Sequence, residues 1–107
     1  MLQKEKLKIK AKLFRGFADP TRLAILECLR DGEKTVSEIV QETEQSQSNV
    51  SNHLSCLFEC GLVKNRREGK NIHYSIRNAK VKALLKDSDI VISEVYREIF
   101  ECTRYEE

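Results

Sequence analysis

The sequence predicts one mostly α-helical domain over residues 1–107 with a single β-hairpin, and three observations support this fold class. A length of 107 residues suits one hydrophobic core. Apolar residues make up 40% of the chain and recur at helical spacing over most of its length. Only between residues 62 and 76 does the pattern alternate with period two, as paired strands do.

Four helices are predicted before the hairpin, over residues 3–17, about 20–30, about 35–42 and 46–60. Asp19 is a good cap for the second helix, and the proline after it is tolerated in a first turn. Thr35 and Glu38 have the spacing of a capping box at the start of the third helix. Ser46 can cap the fourth helix and Gly61 can end it.

The hairpin consists of residues 62–67 and 71–76, joined at Glu68-Gly69-Lys70. A last helix is predicted from about 79 to 103. Its stripe recurs in steps of four and three residues, at Val81, Leu85, Ser88, Ile92, Val95, Ile99 and Cys102. A stripe with this spacing requires a partner helix. This order of elements is that of a winged helix-turn-helix, with residues 46–60 as the recognition helix and the hairpin as the wing.

The distribution of charged and apolar residues excludes several classes of function. The net charge is only +2, but basic residues cluster at 4–15 and 64–80 whereas the chain is acidic after residue 87. No apolar run approaches a membrane span and the N-terminus has no signal-like apolar core, so we expect a cytoplasmic protein without membrane contact. No nucleophile-base spacing, phosphate loop or cofactor signature indicates an enzyme.

The predicted recognition helix begins with small polar side chains that suit base edges: Ser46, Gln47, Ser48, Asn49 and Ser51. Small polar residues at the start of a helix are equally expected if they only cap the helix. The predicted recognition helix is followed, however, by a basic wing with Lys64, Arg66, Arg67 and Lys70, which can attract phosphates independently of sequence. Together the two features favour binding to double-stranded DNA.

Cys56 and Cys60 lie one helical turn apart on the same helix. Their Cβ atoms would stand roughly 5–6 Å apart, too far for a disulfide, in which the distance is about 3.8 Å. Both project away from the predicted core stripe of Val50, Leu54, Leu57 and Phe58. Two thiolates bind a soft cation but need further ligands, and Cys102 is the candidate third, from the same subunit or across a dimer.

The remaining cysteine and histidines have less specific signals. Cys28 lies beside the apolar stripe of the second helix, so a buried and inert thiol is expected. His53 is expected to make a backbone or phosphate contact, with a role as fourth metal ligand kept as an alternative. His73 is expected on the surface of the wing.

Four stretches resemble the ArsR/SmtB family of metal-responsive winged-helix repressors: residues 17–26, 48–54, 61–63 and 67–74. The resemblance covers roughly residues 10–80 in order. It implies a homodimer, built from the first and last helices, that binds an operator in the apo state and releases it when an inducer binds. The interface residues it implies here are Leu7, Phe14, Ile92, Val95 and Ile99.

Within that family, residues 51–56 followed by 60–62 are similar to the CmtR-type cadmium/lead sensors. The similarity implies a three-sulfur site of Cys56, Cys60 and Cys102, with Cd²⁺ or Pb²⁺ as inducer and As(III) or Zn²⁺ as alternatives. The third helix lacks a Cys-x-Cys pair and the last helix lacks histidine, so other metal sites of the family lack their ligands.

Two alternatives remain open at this point. A repressor of the same fold can sense oxidants or reactive sulfur through its thiols. The resemblance to family members of that type, whose sensing thiols lie in the second and last helices, implies a Cys28–Cys102 link in this case. A metal-scavenging protein can use the same thiols, and it would show no sequence-selective DNA binding.

Overall fold

The computed structural model describes the backbone of residues 2–106, and for residues 97, 99 and 101–106 it describes the helical backbone alone. The elements in chain order are α1 Gln3–Phe17, α2 Pro20–Cys28, β1 Lys34–Thr35, α3 Val36–Thr43, α4 Gln47–Glu59, β2 Val63–Glu68, β3 Asn71–Ile76 and α5 Ala79–Glu106. A 3₁₀ turn, Leu29–Asp31, extends α2. Each predicted helix and hairpin strand is present, with ends less than one helical turn from those expected.

The three predicted helix caps are confirmed. The Asp19 carboxylate accepts hydrogen bonds from two backbone amides in the first turn of α2, at 2.9 and 3.0 Å. The Thr35 hydroxyl accepts from the Glu38 amide at 3.3 Å, and the Glu38 carboxylate accepts from the Thr35 amide at 2.9 Å. Ser46 Oγ accepts from the Asn49 amide at 3.1 Å and so fixes the start of α4.

Two backbone positions with positive φ shape the ends of α3 and α4. Glu44 (φ 58°) ends α3 in the left-handed conformation, which makes the tight turn into α4. Gly61 (φ 77°) ends α4. The Leu62 amide donates to the Leu57 carbonyl at 2.9 Å and the Gly61 amide to the Phe58 carbonyl at 3.1 Å, a complete Schellman motif. Cys60 is therefore the C-cap residue of α4, directly after Glu59.

The strands form an antiparallel sheet in the order β1-β3-β2. Strands β2 and β3 are the predicted hairpin, closed by a two-residue turn in which Gly69 has φ 61°. Strand β1 was not predicted, because two residues are too short to show an alternating pattern. It pairs Thr35 with His73 and Lys34 with Tyr74, so it attaches the wing to the segment before α3.

The chain divides into two compact units, one that ends at Arg77 and one that begins at Asn78. The single domain over residues 1–107 that the sequence indicated stays a prediction. The first unit has its core in α2, α3, α4 and the base of the hairpin, where the fully buried side chains include Ile25, Leu26, Ile39, Val50, Leu54, Leu57 and Leu62. Phe58 is 51% exposed, so its prediction as a core residue was wrong. In the second unit Val81 and Leu85 are buried.

Across the described residues, no helix has the length and apolar character needed to cross a membrane.

Candidate functional site

The start of α4 presents the side chains that were predicted to read DNA. Ser46, Gln47, Ser48 and Ser51 are exposed, whereas Asn49 is half-buried. The Asn49 side-chain amide donates to Gln45 Oε1 at 2.8 Å, which holds it against the turn. The exposed side chains are therefore the ones available to base edges in this arrangement.

A groove of about 240 Å³ connects the start of α4 with the tip of the wing. Gln47 lines it from α4, Lys70 and Ile72 line it from the wing, and the segment 35–37 lines it from the start of α3. The fold thus places a side chain suited to adenine beside a cation suited to phosphate.

The two adjacent arginines of the wing have different surroundings. Arg67 and Lys70 are exposed, and no described side chain forms an ion pair with either. Arg66 donates from Nε to Glu33 Oε2 at 2.9 Å and from Nη1 to Glu68 Oε2 at 2.8 Å, and its Nη2 also donates to Glu33. These hydrogen bonds from Arg66 lower the pKa of both carboxyl groups.

The other end of α4 holds the two thiols predicted to bind metal. Cys56 and Cys60 are half-buried free thiols one helical turn apart. Burial raises the pKa of Cys60 and the neighbouring Cys56 raises it further, whereas Lys12 and Arg22 act in the opposite direction. Cys60 also lines a groove of about 830 Å³ whose other walls are mostly α1.

The C-terminal end of α1 approaches the thiols closely. A Cβ atom at Gly16 would lie 2.5 Å from Leu62 Cδ1 and 3.6 Å from Cys60 Cβ, so any larger residue there would displace the Leu62 side chain. Arg22 fixes this end of α1 by donating to the carbonyls of Arg15 at 2.6 Å and Gly16 at 3.2 Å. The thiol end of α4 is therefore part of a packed junction with α1 and α2.

Among the described side chains, no three histidine, cysteine or acidic groups lie together closely enough to hold a metal ion. The side chain of Cys102, the predicted third ligand, lies outside the described residues. His53 Nε2 lies 4.0 Å from Asp19 Oδ2, so His53 faces the cap of α2. The thiol pair suits a thiophilic ion in its donor chemistry but supplies only two ligands.

Cys28 is half-buried, not buried as expected, because it ends α2 at the edge of the core. Its thiol donates to Glu42 Oε2 at 3.0 Å, and Lys34 Nζ donates to the same oxygen at 2.7 Å. Burial and the Glu42 hydrogen bond raise the pKa of Cys28 to about 11. The thiol is thus protonated at neutral pH, in agreement with the expected low reactivity.

The predicted interface residues include large exposed apolar side chains. Leu7 and Phe14 on α1 are 58% and 55% exposed, and Ile92 on α5 is 50% exposed. Val95 is half-buried, and the side chain of Ile99 lies outside the described residues. Exposed apolar side chains of this size are typical of surfaces that bind another protein chain.

Several residues at the site were not assigned by sequence reasoning. Arg22 lies within one of the stretches that resemble the repressor family. Apart from this resemblance, nothing in the sequence indicated that Arg22 joins α1 to α2. Glu33, the partner of Arg66, and Glu42, the partner of Cys28, gave no signal in the sequence. They lie far from their partners in sequence, and only the tertiary fold brings them together.

Comparison with known proteins identifies the family. The family model described as "Bacterial regulatory protein, arsR family" matches residues 19–65. Over 94 residues, 88% of this chain, the sequence is 40% identical to a probable mercury resistance operon repressor of Streptomyces lividans, of which the match covers 75%. The chain belongs to the ArsR family.

Two further similarities agree with this assignment. The ArsR-family chain is 41% identical over 75 residues to the HTH-type transcriptional regulator CmtR of Mycobacterium tuberculosis, with 70% of this chain and 64% of CmtR covered. A solved structure of a possible ArsR-family regulator from Mycobacterium bovis, described as a homodimeric winged helix-turn-helix DNA-binding domain, has a TM-score of 0.83 and 29% identity. That match covers 92% of this chain and 93% of the other. Family and fold are those of DNA-binding transcriptional regulators, not of enzymes.

Proposed function

We propose that this ArsR-family regulator is a metal-responsive repressor that binds operator DNA as an apo homodimer and releases it when a thiophilic metal ion binds. One observation carries the proposal. A single helix, α4, exposes polar side chains suited to base edges at its start and holds the thiol pair at its end. A ligand at the thiols therefore acts on the element proposed to read DNA.

The start of α4 and the wing together support DNA binding. The groove shared by Gln47 and Lys70 places a base-reading side chain and a cation on one surface. Arg67 adds a second exposed cation beside it on β2. In this proposal the wing supplies the electrostatic attraction to phosphates, and Gln47, Ser48 and Ser51 supply most of the sequence preference.

The exposed apolar side chains of α1 and α5 support homodimer formation. Those within the predicted interface are Leu7, Phe14 and Ile92. The related Mycobacterium bovis domain is described as homodimeric. A two-fold dimer would present two recognition helices to two half-sites of an operator.

The proposed metal ligands are Cys56, Cys60 and Cys102. Three sulfur donors favour soft ions, and Cd²⁺ or Pb²⁺ is the proposed inducer, with As(III) and Zn²⁺ as alternatives. The relative from Streptomyces lividans is a probable mercury resistance repressor, so Hg²⁺ belongs in the same test. The raised pKa of Cys28 argues against the redox alternative, because its thiol is a poor nucleophile at neutral pH.

Titration of reduced protein bound to DNA from upstream of its own gene tests the proposal. Fluorescence anisotropy should show tight binding without metal, and Cd²⁺ or Pb²⁺ should weaken it by about 5- to 150-fold, the usual range of allosteric coupling. Mg²⁺ is the control, since it prefers oxygen ligands and should have no effect. Tight DNA binding that no thiophilic ion changes would contradict metal sensing, and metal binding without DNA binding would indicate the scavenging alternative.

A further inference from the structure

Arg66 and Arg67 are neighbours on β2, but their side chains project from opposite faces of the hairpin, because side chains alternate along a strand. Arg66 pairs across the sheet with His73, and Arg67 pairs with Ile72. The buried Val63 lies four residues before Arg67, so Arg67 projects from the face that the base of the hairpin turns to the core. The two arginines therefore cannot contact the same phosphate surface in the same way.

All three guanidinium nitrogens of Arg66 donate to carboxylates. The Nε and Nη2 atoms form a fork on Glu33, and Nη1 bonds Glu68. Such forked pairs have defined geometry as well as attraction. Two negative charges thus surround one positive charge, which leaves little net attraction for a phosphate.

The partners of Arg66 show what this cluster holds together. Glu33 immediately precedes β1, the short strand that pairs with β3, and Glu68 ends β2 beside the turn of the wing. Arg66 thereby connects the segment before β1 to the outer strand of the wing, across the whole width of the sheet. Arg67 and Lys70 make no corresponding ion pair with a described side chain.

We propose that Arg66 is a positioning residue that braces the wing through Glu33 and Glu68, and that Arg67 and Lys70 are the residues of the wing that contact DNA phosphates. This assignment rests on the proposed DNA binding. It departs from the sequence-based expectation, which placed all three cations in contact with phosphate.

The salt dependence of DNA binding separates the two roles, because each lost phosphate contact reduces the slope of log K against log salt by about 0.9. The probe is a fluorescein-labelled DNA duplex of mixed sequence, measured by anisotropy with the full chain over a series of salt concentrations. Arg67→Ala should reduce the slope by about 1.8, because the proposed homodimer loses one phosphate contact in each of its two wings, and Arg66→Ala should leave it unchanged. Arg66→Ala should instead speed amide hydrogen exchange in β2 and β3, which Arg67→Ala should not do.

Variants of the two partner carboxylates give a second test. Glu33→Gln with Glu68→Gln removes the charged partners of Arg66, so it should speed amide hydrogen exchange in β2 and β3 as Arg66→Ala does, and the same two changes in an Arg66→Ala background should speed it no further. The brace is overturned if Arg66→Ala flattens the slope as Arg67→Ala does, or if hydrogen exchange in the wing does not respond to Arg66→Ala. Absence of DNA binding by the unmodified protein would instead overturn the proposed function, and the phosphate assignments with it.

Discussion

The two ends of α4 differ in how firmly the rest of the fold holds them. At the start, Gln47 and Ser48 are exposed, and the Ser46 cap and the hydrogen bond from Asn49 to Gln45 fix the turn. At the end, a side chain at Gly16 would meet Leu62 Cδ1 at 2.5 Å, and the Schellman motif fixes where the helix stops. Substitutions of the exposed side chains leave the core packing unchanged, whereas a larger residue at Gly16 would disturb the packing at the thiol end.

In the proposed function, this difference explains how one helix can combine DNA reading with metal sensing. Between the two ends, Val50, Leu54 and Leu57 are fully buried and anchor α4 to the core. A packed helix moves as a unit, because cores are close-packed and do not deform continuously. A metal ion that pulls on the thiol end would therefore reorient the DNA-reading end.

The largest effect is expected from loss of the anchor between the two ends. Leu54→Ala should lower the free energy of unfolding by about 2–5 kcal/mol, because the side chain is fully buried and its removal leaves a cavity. Phe58→Ala on the same helix is the control, with an expected loss below about 1 kcal/mol, since that ring is 51% exposed. Urea unfolding at one protein concentration measures both, and equal losses would show that the buried face of α4 is misassigned.

A smaller effect is expected at the exposed end. Gln47→Ala should weaken operator binding by about 1–3 kcal/mol if Gln47 makes a bidentate contact with a base. Its metal affinity should not change, because the thiols lie at the opposite end of the helix. Ser55→Ala, an exposed change on the same helix, should alter neither property. A loss of metal affinity in Gln47→Ala would argue that the two ends are not separate sites.

The smallest effect concerns the thiol outside α4. With its pKa near 11, Cys28 should react slowly with iodoacetamide at neutral pH. Glu42→Gln removes a carboxylate that raises this pKa, so it should lower the pKa and speed alkylation severalfold. Peptide mass spectrometry measures the rate at each cysteine. An unchanged rate at Cys28 would mean that Glu42 does not control this thiol.

The fold was predictable where local chemistry determines it. Asp19, the Thr35 and Glu38 pair, and Ser46 start helices at the expected positions, because each cap needs only residues near it in sequence. The turn between α3 and α4 lies where it was predicted, but its left-handed residue was not predicted. Glu44 adopts that conformation, for which glycine is the usual signal.

The parts that could not be predicted depend on contacts between distant residues. Phe58 lies at the edge of the apolar sector of α4, where periodicity alone does not separate a core position from an exposed one. The ion pair of Arg66 with Glu33 joins residues 33 positions apart. The thiol pair was predictable from its spacing, but its contact with α1 at Gly16 required the structure.

Metal-induced release from operator DNA by cysteine variants tests most directly whether the thiol end of α4 controls its DNA-reading end. Cys60→Ser and Cys102→Ser should each bind operator as tightly as the unmodified protein without metal, and each should lose the release by Cd²⁺ or Pb²⁺. Cys28→Ser is the matched control and should keep the full response. Full release in Cys60→Ser would contradict control through the thiol end of α4, and full release in Cys102→Ser would contradict the three-thiolate site.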